Sequence, residues 1–188
     1  MMEKDFARDI DAYFAKLKST IDAMSRQEIN DFLNILEGAR DSDCTIFIMG
    51  NGGSSATASH YVCDFNKGMS YKQDRKFRFI CLNDNVPTLT AYANDVGYDA
   101  VFVESLRNFL SPQDIVIGIS GSGNSKNVLA AIEYANSVGA ETVGLSGFDG
   151  GALKRIAKHN VHVPIDSMQI TEDMHMVLDH LIYSILVK

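Results

Sequence analysis

The chain has 188 residues, 46% hydrophobic and 22% charged, a balance typical of a single globular domain. Its formal net charge of -7 argues against nucleic-acid binding, because nucleic acids attract basic surfaces. No apolar run approaches the length of a bilayer span and the acidic, polar residues 1–11 do not resemble a signal peptide, so we expect a cytoplasmic protein that binds no membrane.

Two amphipathic helices are predicted before the first strand. In the first, over residues 4–23, the apolar residues at helical spacing are Phe6, Ile10, Phe14, Leu17 and Ile21. Ser25 and Glu28 have the spacing of a capping box before the second helix. Each apolar side must be buried against the same domain or a neighbouring subunit. Residues 1–40 are therefore predicted to be a helical extension of one domain that covers 1–188.

From Cys44 onward, apolar strands alternate with helices. The predicted strands are Cys44–Gly50, Phe77–Leu82, Ile115–Ser120, Glu141–Ser146 and Asn160–Pro164. The predicted helices are Ser54–Asn66, Pro87–Asn94, Ala100–Phe109, Asn124–Ser137, Gly151–Lys158 and Thr171–Val187. This alternation predicts an α/β fold whose parallel sheet is covered by helices on both faces. Cys44 and Cys81 fall in these strands, so they are expected to be buried, reduced thiols.

The first strand ends at a glycine-rich loop. Gly50, Asn51, Gly52 and Gly53 follow the apolar run, and Ser54-Ser55 then opens a helix. A helix N-terminus offers unpaired N–H groups and a favourable dipole to an anion, and glycines allow close approach of the backbone. The loop is either a phosphate site or an ordinary turn between a strand and a helix.

A second loop of the same kind favours the phosphate site. The apolar strand ending at Ser120 is followed by Gly121-Ser122-Gly123-Asn124-Ser125 and a helix. The two loops are expected to converge at the carboxyl edge of a parallel sheet, where such folds bind ligands. A third strand–glycine–helix junction, Gly144–Gly151, is interpreted mainly as a turn, with Ser146 as a weaker candidate for the site.

Ionisable side chains follow the first loop and recur in the last helix. His60 and Asp64 are one helical turn apart, so they share a face of the helix. This spacing is compatible with an acid/base pair, with half of a metal site, or with an exposed pair that has no function. In the last helix His175 lies at the edge of the apolar stripe and is expected to be structural, whereas His180 lies outside it. Glu172 and His180 are roughly 12 Å apart along a regular helix, so two copies of the helix would be needed to bring them to one small ligand.

Together these residues resemble the sugar isomerase (SIS) domain family and, within it, the phosphoheptose isomerase group. The matching stretches are GNGGSSATASH at Gly50–His60, the carboxylate Asp64, SGSGNSKNV at Ser120–Val128, and TEDMHMVLDH ending at His180. The resemblance implies a three-layer αβα, flavodoxin-like fold with a five-stranded parallel sheet after two N-terminal helices. It also implies a homotetramer with active sites at subunit interfaces.

The loops and the resemblance together assign the candidate site residues. Substrate and phosphate would be bound by Asn51, Gly52, Gly53, Ser54, Ser55, Asn83, Asp84, Ser120, Gly121, Ser122 and Ser125. The resemblance implies catalytic roles for Asp64, Glu172 and His180, and a zinc site formed by His60, Asp64, Glu172 and His180.

The chain departs from the phosphoheptose isomerase pattern at several of these positions. That group usually has glutamate where Asp64 stands, glutamine where Glu172 stands and threonine where Gly121 stands. Lys67-Gly68 occupies the neighbourhood of a typical arginine. These changes leave the exact sugar and the metal open.

The resemblance implies a phosphosugar isomerase that interconverts sedoheptulose 7-phosphate and glycero-manno-heptose 7-phosphate. Asp64 or Glu172 would remove the proton beside the carbonyl to give a cis-enediol, and His180 would return a proton. No nucleotide cofactor is expected, since Gly50–Ser55 lacks the GxGxxG order of dinucleotide sites. The alternative is a non-catalytic SIS module that binds a phosphosugar or regulates replication initiation.

Overall fold

The computed structural model describes residues 4–42 and 44–187, which contain one five-stranded sheet. All strand pairs are parallel, in the order β2-β1-β3-β4-β5. The strands are β1 Ile46–Gly50, β2 Phe79–Cys81, β3 Ile115–Ser120, β4 Glu141–Ser146 and β5 His159–His162. The predicted parallel sheet is confirmed, and the bounds of β3 and β4 are as expected.

Eight α-helices lie in the described residues, and they precede, connect or follow these strands. They are α1 Ala7–Ala23, α2 Arg26–Ser42, α3 Gly53–Cys63, α4 Val86–Asp95, α5 Val101–Arg107, α6 Lys126–Val138, α7 Leu153–Ile156 and α8 Met168–Leu186. A π-helical segment, Asp64–Met69, continues α3, and a 3-10 turn, Tyr98–Ala100, precedes α5. No helix within residues 4–42 or 44–187 has the length and apolarity to cross a bilayer.

Two apolar cores lie on opposite faces of the sheet. Along β1, Ile46 and Ile48 face a core shared with α2, α3 and α8, whereas Phe47 and Met49 face a core shared with α4 to α7. This alternation follows from the two-residue period of a strand. The predicted three-layer αβα architecture is therefore confirmed.

The order of the strands brings the two glycine-containing loops together. After β1 the chain runs outward to β2 and then returns to form β3 on the other side of β1. Gly50 at the end of β1 is paired with Ile119 near the end of β3. The loops after β1 and β3 therefore leave neighbouring strands at the point where the order reverses, which is the usual ligand position in such sheets.

The two N-terminal helices pack differently. Helix α2 buries Phe32 and Leu36 in the core of its own domain. Ser25 Oγ accepts from the Glu28 N–H at 3.2 Å, so half of the predicted capping box forms. The Glu28 carboxylate instead accepts from the His162 N–H on β5, which ties α2 to the sheet. Of the predicted apolar side of the first helix, four residues remain exposed: Phe6, Ile10, Phe14 and Ile21.

The buried cysteines are as predicted. Cys44 and Cys81 are buried, and Cys63 on α3 is exposed. None of the three forms a disulfide within the described residues.

Candidate active site

A pocket of about 280 Å³ lies between the loops after β1 and β3 and the start of α8. Its lining residues are Asn51, Gly52, Gly53, Ser54, Ile119, Ser120, Gly121, Ser122, Ser125, Met168 and Glu172. Two helices, α3 and α6, begin at this pocket, so both direct the positive ends of their dipoles toward it. This is the anion-binding geometry that the two loops predicted.

The loop after β1 is shaped by its glycines and by a side-chain clamp. Gly52 has φ +55°, a conformation that favours glycine, and it precedes the first turn of α3. Gly50 lies so close to Ser54 that an added Cβ would sit 2.7 Å from the Ser54 Cβ. Asn83 holds the strand end, since its Nδ2 donates to the Gly50 carbonyl at 2.9 Å and its Oδ1 accepts from the Gly50 N–H at 3.2 Å.

The Asn51 side chain is held by two other elements. Its Oδ1 accepts from the Tyr98 hydroxyl at 2.7 Å and from Asn127 Nδ2 at 2.9 Å. Its Nδ2 donates to Asn127 Oδ1 at 2.9 Å. Asn127 is buried in the first turn of α6, so this amide pair connects the two loops beneath the pocket.

The loop after β3 places serine hydroxyls around the start of α6. Ser120 Oγ and Ser125 Oγ are 3.0 Å apart and share a hydrogen bond. Gly123 has φ +67° and lies against the backbone of the Gly144–Gly151 junction. A Cβ added to Gly123 would lie 2.0 Å from the Gly150 carbonyl oxygen. Close packing of two turns therefore fixes the position of the serines.

Glu172 brings a negative charge into the same pocket. A Cβ on Gly53 would lie 2.6 Å from each Glu172 carboxylate oxygen, so the carboxylate sits at the first turn of α3. The positive end of the α3 dipole favours a carboxylate at this position. The pocket thus has an acidic end at α3 and a hydroxyl-rich end at α6.

A second cluster of ionisable groups joins α3 to α8. His60 Nε2 lies 3.2 Å from His180 Nε2, and it lies 3.7 Å from an oxygen of Asp64 and 3.7 Å from an oxygen of Asp179. One ligand atom from each of the four residues lies within 4.8 Å of the others, which is a spacing that could hold a metal ion. Burial, and then the nearby Asp64 charge, raise the pKa of Asp179 to about 7.

The structure therefore brings most predicted site residues into two groups. Eight of the predicted substrate-binding residues line the pocket, whereas Ser55, Asn83 and Asp84 do not. Asn83 is bonded to the Gly50 backbone, and Asp84 accepts a hydrogen bond from the Ser59 hydroxyl. Their contact with substrate stays a prediction.

The predicted zinc ligands divide between the two groups. His60, Asp64 and His180 lie together, but within one chain Glu172 lies at the pocket beside Gly53. Ser146, the weaker candidate, is buried outside the pocket lining. His175 is buried as expected of a structural histidine, whereas His180 is exposed.

Sequence reasoning missed Asp179, Tyr98, Asn127 and Met168. Only Asp179 left a clear signal, because it is four residues after His175 and three before Ile182, on the buried stripe of α8. A carboxylate on a buried stripe needs a partner. No local pattern indicates the contacts of Tyr98 or Asn127.

Comparisons with known proteins place this geometry in a family. The SIS domain family model matches residues 12–147. The phosphoheptose isomerase of Helicobacter pylori strain P12 is 35% identical over 183 residues, which cover 97% of this chain and 92% of that protein. The probable phosphoheptose isomerase of Thermoplasma acidophilum is 37% identical over 147 residues, covering 78% of this chain and 80% of that protein.

A solved structure agrees with these sequence relatives. The structure of phosphoheptose isomerase GmhA from Neisseria gonorrhoeae superposes with a TM-score of 0.88 and 26% identity, covering 97% of this chain and 98% of that one. The chain belongs to the SIS domain family and, within it, to the phosphoheptose isomerases.

Proposed function

We propose that this protein interconverts sedoheptulose 7-phosphate and glycero-manno-heptose 7-phosphate. The observation that carries the proposal is the pairing of a hydroxyl-rich pocket at two helix N-termini with a cluster between α3 and α8 that contains His60, Asp64 and His180. Relatives named phosphoheptose isomerase, which match nearly the whole chain, support the choice of a heptose over other phosphosugars.

The phosphate binds at the α6 end of the pocket. Ser120, Ser122 and Ser125 supply hydroxyl donors there, and the α6 dipole favours the negative charge. The α3 end already carries the Glu172 carboxylate, which repels a phosphate dianion. Because the chain has a net charge of -7, these local donors must outweigh a general repulsion of anions.

The carbonyl end of the sugar reaches the second cluster. His60 lies seven residues beyond Gly53 on α3, about 10 Å along the helix axis from the acidic end of the pocket. Asp64 removes a proton from C1 of the ketose while O2 gains one, giving a cis-enediol. Loss of the O1 proton and protonation of C2 then leave the aldehyde at C1. His180 exchanges the protons carried by the sugar oxygens.

Zinc is the metal that the donor set fits. Imidazole nitrogens and carboxylate oxygens are ordinary zinc ligands, and His60, Asp64 and His180 would contribute three of them. When bound, zinc polarises substrate oxygens and stabilises the developing negative charge. No nucleotide cofactor takes part in this reaction.

The active form is a homotetramer of single-domain chains, each covering residues 1–188, with sites at the subunit interfaces. Two observations support this. The apolar side of α1 is exposed in one chain, and Glu172 and His180 belong to separate groups within one chain. A neighbouring copy would cover the apolar side of α1. It could also bring Glu172 of one chain close to His180 of another. The protein is placed in the cytoplasm, where sugar phosphates are available.

The proposal is tested with purified protein and sedoheptulose 7-phosphate. Wild type should form an aldose phosphate, and His180→Ala should lose at least the ~10²-fold typical of acid/base removal. His159→Ala is the matched control, because His159 lies on β5 and pairs with Glu141 away from both groups. Equal turnover in His180→Ala and wild type would refute the catalytic role.

The same assay separates the two candidate bases. Asp64→Asn should abolish turnover, whereas Glu172→Gln should retain more activity and lower the KM, since it removes a negative charge from the pocket. The reverse ranking would assign the base to Glu172. Tight phosphosugar binding with no turnover in wild type would favour the non-catalytic module.

A further inference from the structure

Asp179 is a fully buried carboxylate with no hydrogen-bond partner. Its exposed fraction is 0%, and neither Oδ1 nor Oδ2 forms a hydrogen bond among the described residues. Burying a carboxylate without compensation costs several kcal/mol, because the group loses its hydration. The described residues therefore leave the carboxylate without a cationic or donor partner at hydrogen-bond distance.

The surroundings of Asp179 indicate what that partner is. Its single ion-pair contact among the described residues is with His60, at 3.7 Å, too long for a hydrogen bond. The approach of two imidazoles through their Nε2 atoms, at 3.2 Å, places both nitrogens beside the carboxylates of Asp64 and Asp179. Four potential ligand atoms thus converge on one point between α3 and α8.

The spacing of these atoms fits a tetrahedral cation. With zinc–nitrogen bonds of 2.0–2.1 Å, two ligands of a tetrahedral ion lie about 3.3 Å apart. The two histidine nitrogens are separated by 3.2 Å, and His60 Nε2 is 3.7 Å from each carboxylate oxygen. Small side-chain movements would equalise these distances. In the same chain the Glu172 carboxylate lies instead against Gly53.

We propose that Asp179 is a ligand of a divalent cation, completing with His60, Asp64 and His180 a four-ligand site supplied by one chain, in which Glu172 takes no part. This inference rests on the proposed function for the identity of the metal, zinc. It assigns Glu172 to the phosphate pocket and accounts for the unpartnered oxygens of Asp179.

The test compares two variants that each replace a carboxylate of α8 by its amide. Metal-free wild type, Asp179→Asn and Glu172→Gln are titrated with Zn²⁺ against a chromophoric chelator, without substrate. Asp179→Asn should weaken zinc binding at least 10-fold. Even the replacement of a residue that only hydrogen-bonds to a metal ligand typically lowers metal affinity 10–100-fold. Glu172→Gln should stay within about 3-fold of wild type, and Asp64→Asn is the positive control for loss of a ligand.

Cobalt provides a second readout that reports coordination directly. The visible spectrum of the Co²⁺-loaded protein should change in Asp179→Asn and remain that of wild type in Glu172→Gln. Circular dichroism checks that each variant is folded. Wild-type affinity in Asp179→Asn, a loss confined to Glu172→Gln, or no zinc binding by wild type would each overturn the proposal. Because substrate is absent, these results are independent of whether the protein isomerises a heptose.

Discussion

At the scale of single residues, α8 carries two buried ionisable side chains one turn apart, His175 and Asp179. Asp179 lies in the cluster with His60, whereas His175 lies outside that cluster and its carbonyl accepts from the Tyr61 hydroxyl at 3.3 Å. Burial lowers the pKa of His175 to about 4, so this histidine is neutral in the folded protein at pH 7. The two residues therefore act differently, although both lie on the same buried side of the helix.

His175 predicts a loss of stability in acid. Its pKa is lower in the folded than in the unfolded chain. Its contribution to the free energy of unfolding is therefore complete above about pH 6.5 and is lost as the pH falls toward 4. Between pH 7.5 and pH 5 this amounts to about 2 kcal/mol. His175→Gln has no such proton uptake, so its free energy of unfolding should fall by about that much less over the same range.

Urea unfolding of wild type and His175→Gln at several pH values measures this difference. His159→Gln serves as the control, because His159 is partly exposed on β5. Parallel pH profiles for wild type and His175→Gln would show that the buried imidazole does not titrate on unfolding.

At the scale of elements, the pocket depends on contacts between segments that are distant in sequence. Tyr98 in the 3-10 turn, Asn51 in the loop after β1 and Asn127 in α6 form one hydrogen-bonded set. Helix α3 changes to a π-helix at Asp64, next to the ionisable cluster, and such π segments are frequent at functional sites. Local order at the site is thus set by packing between elements.

Tyr98→Phe should loosen the glycine loop without unfolding the protein. The change removes one hydrogen bond to Asn51 Oδ1, worth about 1 kcal/mol, and the Asn51–Asn127 pair remains. We expect the KM for the phosphosugar to rise about 5-fold, which corresponds to that energy, with a smaller change in kcat.

Steady-state kinetics on Tyr98→Phe and Tyr71→Phe check this prediction. Tyr71 is the matched control, since it is exposed in the loop before β2, away from both groups of site residues. An unchanged KM in Tyr98→Phe would mean that the hydroxyl does not position Asn51 for binding.

At the scale of the whole molecule, one chain leaves apolar surface that a second copy could cover. Phe6, Ile10 and Phe14 are each more than half exposed along one side of the α1 region. An apolar groove of about 480 Å³ lies beside it, between α1, α2 and α8, lined by residues that include Ile21, Leu33 and Leu181. Adjacent exposed patches of this kind are typical of interfaces.

Phe14→Glu should therefore dissociate the proposed tetramer. A charge in the centre of an apolar interface has no partner there, so its burial is unfavourable. Light scattering after gel filtration should give a smaller mass for this variant than for wild type, together with reduced isomerase activity. Ser19→Glu, on the opposite side of α1, is expected to keep the wild-type mass. A monomeric wild type would contradict the assembly.

The sequence by itself determined the fold class and the meeting of the two glycine-containing loops. Apolar strands ending in glycine and serine predicted a parallel sheet with its ligand site at the carboxyl edge, because these signals lie within single segments of chain. The i, i+4 spacing of His60 and Asp64 likewise predicted that they share a helix face, and they lie in one cluster.

Only the tertiary structure decided which residues of α8 meet which residues of α3. The packing of these helices sets Glu172 beside Gly53 and Asp179 beside His60, which separates the expected zinc ligands within one chain. The tertiary structure also brings Asn83 to the Gly50 backbone and Asn51 to Asn127, where each pair forms hydrogen bonds. The offset between two packed helices depends on the side chains of both along their whole contact, so no local spacing along the chain encodes it.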